Sequence, residues 1–240
     1  MCEQCGCGDA NSLSITKKTI KVEEDILSKN NKLAEEIRHE LAHRKTLMVN
    51  LMSSPGSGKT TLLEKSLPGL MKEFKVAVIE GDVQTRYDAE RLKKLGIPVF
   101  QVNTGGACHL DALSIRRLLD TEPFLSAQII IIENVGNLVC PSAFDLGEDA
   151  KVVFLSVTEG DDKPEKYPAA FAVASAMMIS KTDLLPYVNF DVERCKESAW
   201  QVHPGLPLLI SSSVKEEGVK EWQNWLKHEL SHKMGMQHEH

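Results

Sequence analysis

The chain has 240 residues and a formal net charge of −6, from 34 acidic and 28 basic side chains. That length suffices for one α/β domain with a sizeable core, and the acidic balance, without a long basic run, argues against nucleic acid or an anionic membrane as the main partner. No segment approaches the roughly 20 consecutive apolar residues of a membrane-spanning helix. The start has no apolar signal region, so a cytoplasmic protein is expected. In that compartment the six cysteines read as metal ligands or buried thiols rather than disulfides.

In chain order, the first feature is Cys2, Cys5 and Cys7, spaced by Gly6 and followed by Gly8. Three thiols can converge on one soft ion if the chain turns, and glycines permit the turn. The α-amine of Met1, or of Cys2 after processing, offers a fourth donor, and an N,S₃ set suits square-planar Ni²⁺. Residues 1–20 are polar and are expected to form a flexible metal-binding tail. Residues 21–240 are expected to form the folded domain, opened by an amphipathic helix over Val22–His43 with Ile26, Leu33, Ile37 and Leu41 at helical spacing. Within it, His39-Glu40-Leu41-Ala42-His43 matches the zinc-protease pattern, but no third ligand helix follows, and it reads as a decoy.

Seven strands are predicted: Thr46–Leu51, Val76–Glu80, Val99–Val102, Ile129–Glu133, Val152–Val157, Met177–Ser180 and Pro207–Ile210. Several are continuous apolar runs, as strands covered on both faces require. Helix-like stretches lie between most of them, so a mostly parallel sheet flanked by helices follows, with its ligand-binding loops along one edge. The first strand runs into Ser53-Ser54-Pro55-Gly56-Ser57-Gly58-Lys59-Thr60-Thr61, a phosphate loop opening a helix. Its backbone N–H groups and the helix dipole would cradle phosphate, Lys59 would reach the β/γ oxygens, and the Thr60 hydroxyl would ligate Mg²⁺. Gly81-Asp82 ends the second strand, and Asp82 would hold Mg²⁺ or orient the attacking water, or simply cap a turn. Beyond the third strand stand Cys108 and His109. Beyond the fourth come Glu133, a further Mg²⁺ candidate, Gly136, whose N–H can approach a γ-phosphate, and Cys140. Cys108, His109 and Cys140 together suit Zn²⁺ or Ni²⁺, with an open position or a ligand from another subunit. The alternative is buried thiols with a surface imidazole. After the sixth strand, Ser180-Lys181-Thr182-Asp183 would read guanine: Asp183 accepts from the base, and the Lys181 stem covers it. Ser211, Ser212 and Ser213 stand where an O6-contacting loop would fall. Cys195 sits in a helical run and reads as structural. His228 and His232 share a helical face that reads as a solvated helix end.

These segments together resemble the HypB family, the GTPases that assist nickel insertion into nickel–iron hydrogenase. The resemblance spans nearly the whole chain. It rests on Cys2/Cys5/Cys7, Ser53–Thr61, Glu80-Gly81-Asp82, Gly106-Ala107-Cys108-His109-Leu110, Glu133-Asn134-Val135-Gly136-Asn137-Leu138-Val139-Cys140-Pro141 and Ser180-Lys181-Thr182-Asp183. Ser53 and Ser180 stand where the commoner residues are glycine and asparagine. The resemblance implies a three-layer, SIMIBI-class P-loop GTPase that forms homodimers, uses GTP/GDP with Mg²⁺, and handles Ni²⁺ and Zn²⁺. Its implied partners are a HypA-type metallochaperone and a hydrogenase large-subunit precursor. The long histidine-rich insertion of some members is absent, so nickel storage is not expected. The expected function is a GTP-hydrolysing metallochaperone that gates Ni²⁺ delivery. The rivals are a non-catalytic, metal-responsive GTP switch and a P-loop ATPase or kinase.

Overall fold

The computed structural model describes residues 10–82, 87–103 and 109–235, with side chains from Asp25 onward, Asp82 excepted. All seven predicted strands are present: β1 Leu47–Ser53, β2 Val76–Asp82, β3 Val99–Asn103, β4 Ile129–Gly136, β5 Ala150–Ser156, β6 Ala176–Ser180 and β7 Leu208–Ile210. They form one sheet in the order β3-β2-β4-β1-β5-β6-β7, and every paired neighbour is parallel. The helices are α1 Ala10–Arg44, α2 Lys59–Leu70, α3 Tyr87–Lys93, α4 Ala112–Leu119, α5 Cys140–Ala143, α6 Lys163–Lys166, α7 Pro168–Ala172, α8 Val192–Val202 and α9 Val219–Lys233.

The continuous apolar runs conceal a period of two, because successive strand residues face opposite sides of a sheet. Leu47, Val49, Leu51, Ile129, Ile131, Val152 and Phe154 join α2 and α9 in one core. Met48, Ile130 and Ile132 pack beneath α1 and α4, while Val153, Leu155, Met177 and Ile179 pack beneath α7 and α8. The result is the expected three-layer sandwich. Cys195 is fully buried in the last of these cores, and desolvation pushes its thiol up to about 12, so it is structural.

α1 begins at Ala10 rather than Val22, which shortens the expected tail. No glycine or proline interrupts residues 10–44, so nothing stops the helix earlier. Ile37 and Leu41 are fully buried and Leu33 packs partly against the core, as their spacing requires, whereas Ile26 is 54% exposed. Polar anchors fix the helix: Arg44 donates to the carbonyls of Leu119, Phe124 and Leu125. Asn30 bridges Ala112 N and the Asp145 carbonyl. Glu40 is committed to Arg44 and Arg116, and His39 and His43 are exposed. That carboxylate is therefore no general base, consistent with the decoy reading. Among the described residues no helix is long and apolar enough to cross a membrane.

Trp222 of α9 is fully buried, edge-on to Phe154 at 6.2 Å and stacked on Trp225 at 5.3 Å. Trp222→Ala should destabilise the protein by about 3–5 kcal/mol, because the surrounding core cannot collapse onto the lost ring. The value is read from the urea midpoint at unchanged slope.

Candidate functional site

The strand order makes β4 return between β2 and β1, so the C-terminal ends of these strands open into one crevice, the usual ligand position in open parallel sheets. A cleft of about 590 Å³ lies there, lined by Pro55, Gly56, Ser57, Gly58, Lys59, Thr60, Thr61, Glu133, Gly136 and Lys181. The structure thus brings together residues that the sequence scatters over 127 positions (181 − 55 + 1).

The loop between β1 and α2 bends through Gly56 (φ +72°) and Gly58 (φ +93°), left-handed positions that side chains rarely adopt. Gly58 then leads directly into α2, which begins at Lys59. The Lys59 ammonium is buried and donates to Ser53 Oγ at 2.5 Å. Ser53, the departure from glycine, is therefore a fully buried partner for this lysine. Thr60 Oγ1 donates to Glu133 Oε1 at 2.7 Å. The β1–β4 pairing is regular to Leu51↔Glu133 and then slips to Ser53↔Gly136. That irregularity seats Gly136 against the loop: a Cβ there would lie 2.8 Å from Pro55 Cγ and 2.9 Å from its Cα and N.

Sequence reasoning weighed Asp82 and passed over Glu80. β2 pairs in register with β4 so that Glu80 stands opposite Glu133, and both carboxylates are buried. Burial pushes both carboxyls well above the ordinary carboxylate range. For Glu80 the neighbouring Glu133 charge adds to this, and for Glu133 the Lys59 charge and the Thr60 hydrogen bond oppose it. The Oε2 atoms of both residues lack a hydrogen-bond partner among the described residues. Such a set of buried oxygens beside a threonine hydroxyl fits a hard divalent cation. Asp82 is the last residue of β2 and pairs with Asn103 through the backbone. Arg91 and Asp88 also line the cleft. Arg91 donates to Glu64 and, at 3.2 Å, to Thr61 Oγ1. Nothing in the local sequence marks it, because only the packing of α3 on α2 brings it there.

The loop after β6 is tied to the phosphate loop and to the loop after β7. Ser180 Oγ donates to the Ser57 carbonyl at 2.5 Å, and Lys181 Nζ donates to the Gly56 carbonyl at 2.6 Å. Lys181 is left-handed, with φ +58°. Ser212 Oγ donates to Asp183 Oδ1 at 2.6 Å, and Thr182 N donates to the Ser211 carbonyl. Ser211 and Ser212 are fully buried.

Of the expected metal ligands, Cys2, Cys5, Cys7 and Cys108 lie outside the described residues. His109 stacks on Phe144 at 3.8 Å between ring centroids, and Phe144 immediately follows α5, whose first residue is Cys140. The two predicted ligands thus belong to adjoining segments. Burial lowers the His109 pKa against the opposing charge of Asp111, which favours the neutral, ligating imidazole. Among the described residues, no three His, Cys, Asp or Glu side chains converge as a ready metal cluster.

A parallel sheet with a phosphate loop between its central strand and the next helix, and the loop after β6 clamped onto it, defines a P-loop nucleotide-binding protein. The sequence model of the CobW/HypB/UreG nucleotide-binding domain matches residues 47–209. The chain is 53% identical over 211 residues to the hydrogenase maturation factor HypB of Escherichia coli, an alignment covering 88% of this chain and 73% of the relative. Among solved structures it resembles HypB from Archaeoglobus fulgidus (TM-score 0.79, 40% identity, 85% of this chain and 100% of that one). It also resembles HypB from Helicobacter pylori in complex with nickel (TM-score 0.79, 42% identity, 88% and 99%). The chain belongs to the HypB family and is a P-loop GTPase.

Gly136→Ala should push Pro55 and the loop backbone outward. Nucleotide affinity should fall at least ~10-fold and stability by about 1–3 kcal/mol, the usual cost of overpacking. Fluorescent GDP titration and urea unfolding check the two effects separately.

Proposed function

We propose that this GTPase uses its hydrolysis cycle to gate the handover of Ni²⁺ to a hydrogenase large-subunit precursor, receiving metal in concert with a HypA-type metallochaperone. The observation that carries the proposal is the short path from nucleotide to metal ligand. Gly136 abuts Pro55 of the phosphate loop. Four residues on (140 − 136), Cys140 opens α5, and the next residue after α5, Phe144, stacks on His109. A γ-phosphate contact at the Gly136 N–H would reposition Cys140 and His109, the order-changing step on which nucleotide switches rely. The nickel complex of the Helicobacter pylori relative supports the choice of metal, and Zn²⁺ is the alternative occupant of the core site formed with Cys108.

In this reading Lys59 exchanges its Ser53 partner for phosphate oxygen and neutralises charge that develops on the transferring group. Thr60 and Glu133, with Asp82 and the newly recognised Glu80, would hold Mg²⁺, which when bound draws charge from the β- and γ-phosphate oxygens. The backbone of Pro55–Thr61 cradles the phosphates. The Lys181 stem covers the base, Asp183 accepts from guanine N1–H and N2–H₂, and Ser211 and Ser212 shape the O6 side. The Ser212 hydroxyl orients Asp183 in advance. Cys2, Cys5 and Cys7, ahead of α1, form a separate Ni²⁺ site. A twofold dimer would let the Cys108/His109/Cys140 segments meet their symmetry mates, and the cycle runs in the cytoplasm.

The coupling is tested on a chain lacking residues 1–8, so that the amino-terminal thiols do not report. Ni²⁺ affinity and sedimentation are measured with GDP and with a non-hydrolysable GTP analogue. The expected change in affinity is roughly 5–150-fold, with the reciprocal change in nucleotide affinity that linkage demands. Identical affinity and mass in both states overturn the proposal. The base assignment has its own test. Asp183→Asn should weaken GDP by on the order of 100-fold, the cost of mispairing a polar group in a hydrogen-bonding site. It should also shift preference toward xanthine nucleotides in competition binding.

A further inference from the structure

Beyond the nucleotide cleft and the thiol ligands, the described residues include two exposed histidine pairs one helical turn apart, His39/His43 on α1 and His228/His232 on α9, and in the second pair two ring nitrogens are in contact. α9 ends in His228 and His232, one helical turn apart and both exposed. Their rings meet edge to face with centroids 4.3 Å apart, and their Nε2 atoms lie 3.0 Å from each other. Transition ions bind imidazole nitrogen at roughly 2.0–2.1 Å, so two nitrogens on one ion, at square-planar or tetrahedral angles, stand roughly 2.9–3.4 Å apart. The observed separation falls in that window, and the rings need little re-aiming to chelate.

Protonation agrees with the geometry. His228 Nδ1 lies 3.4 Å from Glu229 Oε1. A proton on Nδ1 facing that carboxylate leaves the Nε2 lone pair free, the arrangement by which carboxylates orient ligating histidines. In the metal-free contact one Nε2 donates and the other accepts, the roles being set by the tautomers, and a change of tautomer at the donor presents a second lone pair without net proton loss. The flanking ammonium groups are already paired, Lys227 with Glu73 and Lys233 with Asp149.

The place is distinct from every site above. Lys233 reaches Asp149, whose other carboxylate oxygen accepts the Met48 N–H at the start of β1. The pair therefore sits toward the edge where the strands begin, opposite the phosphate loop. We propose that His228 and His232 form a bidentate imidazole site for one divalent ion of the Ni²⁺, Cu²⁺ and Zn²⁺ class, with water or an outside ligand completing the sphere. Because it stands apart from the cleft, this site should hold metal equally with GDP and with a GTP analogue.

The test uses the full, reduced chain with GDP bound, in equilibrium dialysis against Ni²⁺ and separately against Zn²⁺. His228→Ala/His232→Ala should bind one ion fewer per chain than the unmodified protein, with GDP affinity unchanged. His39→Ala/His43→Ala, the same spacing on α1, should keep the full count. In ¹⁵N-histidine spectra of the full chain, Zn²⁺ should move the Nε2 resonances of His228 and His232 together. An unchanged count in the His228→Ala/His232→Ala chain, or Nε2 resonances that do not respond, overturns the site.

Discussion

Every strand of the sheet runs in the same direction, and this constraint organises the molecule. A parallel sheet is covered on both faces, so its strands are mostly apolar, with the functional polar residues toward their C-terminal ends. With the usual right-handed crossovers those ends share one edge. Ser53, Glu80, Glu133, Gly136 and Ser180 all lie at or near the C-terminal end of their strand, and all of them meet at or beside the nucleotide cleft. Order in the sheet then decides which of them touch. Because β4 lies between β1 and β2, Glu133 reaches both the Thr60 hydroxyl and Glu80.

The cleft concentrates groups that are costly to bury. An ammonium and two carboxyl groups out of water persist only where hydrogen-bond partners or opposite charge offset the desolvation, or where a carboxyl keeps its proton. Lys59 finds Ser53 Oγ, Glu133 finds Thr60, and burial beside the Glu133 charge pushes the Glu80 carboxyl up to about 10. Among the described residues the Glu80 and Glu133 Oε2 atoms have no hydrogen-bond partner, and a divalent cation would relieve that deficit. The Ser180 and Lys181 contacts to the Ser57 and Gly56 carbonyls hold the loop meanwhile, so the cradle is largely formed in advance of ligand.

The long helix α1 connects the cleft's surroundings to the outer surface. Its anchors at Ala112 N and Asp145 bracket the His109 and Cys140 segments in the fold. The C-terminal helix α9, by contrast, packs on the α2 side of the sheet, and its histidine pair lies toward the edge where the strands begin.

The sequence by itself determined the strands, their parallel arrangement, the phosphate loop and the family, because each is written in local pattern: apolar runs, glycines at left-handed positions, and Lys-Thr at a helix start. Strand ends shifted by one to three residues, since hydrogen bonding carries β4 beyond Glu133 to Gly136 after the apolar run has stopped. The start of α1 escaped prediction because residues 1–20 read as a polar stretch, although Leu13 and Ile20 continue the seven-residue spacing of Leu27, Ala34 and Leu41. Tertiary structure alone decided what depends on register between distant segments. It put Glu80 opposite Glu133, laid Arg91 against Thr61 and made Ser53 the partner of Lys59. It also withdrew Glu40 from the two histidines beside it in sequence by pairing it with Arg116, and aimed two Nε2 atoms of α9 at one point. These are distances between side chains whose separation is set by sheet order and helix packing, and no spacing along the chain encodes them.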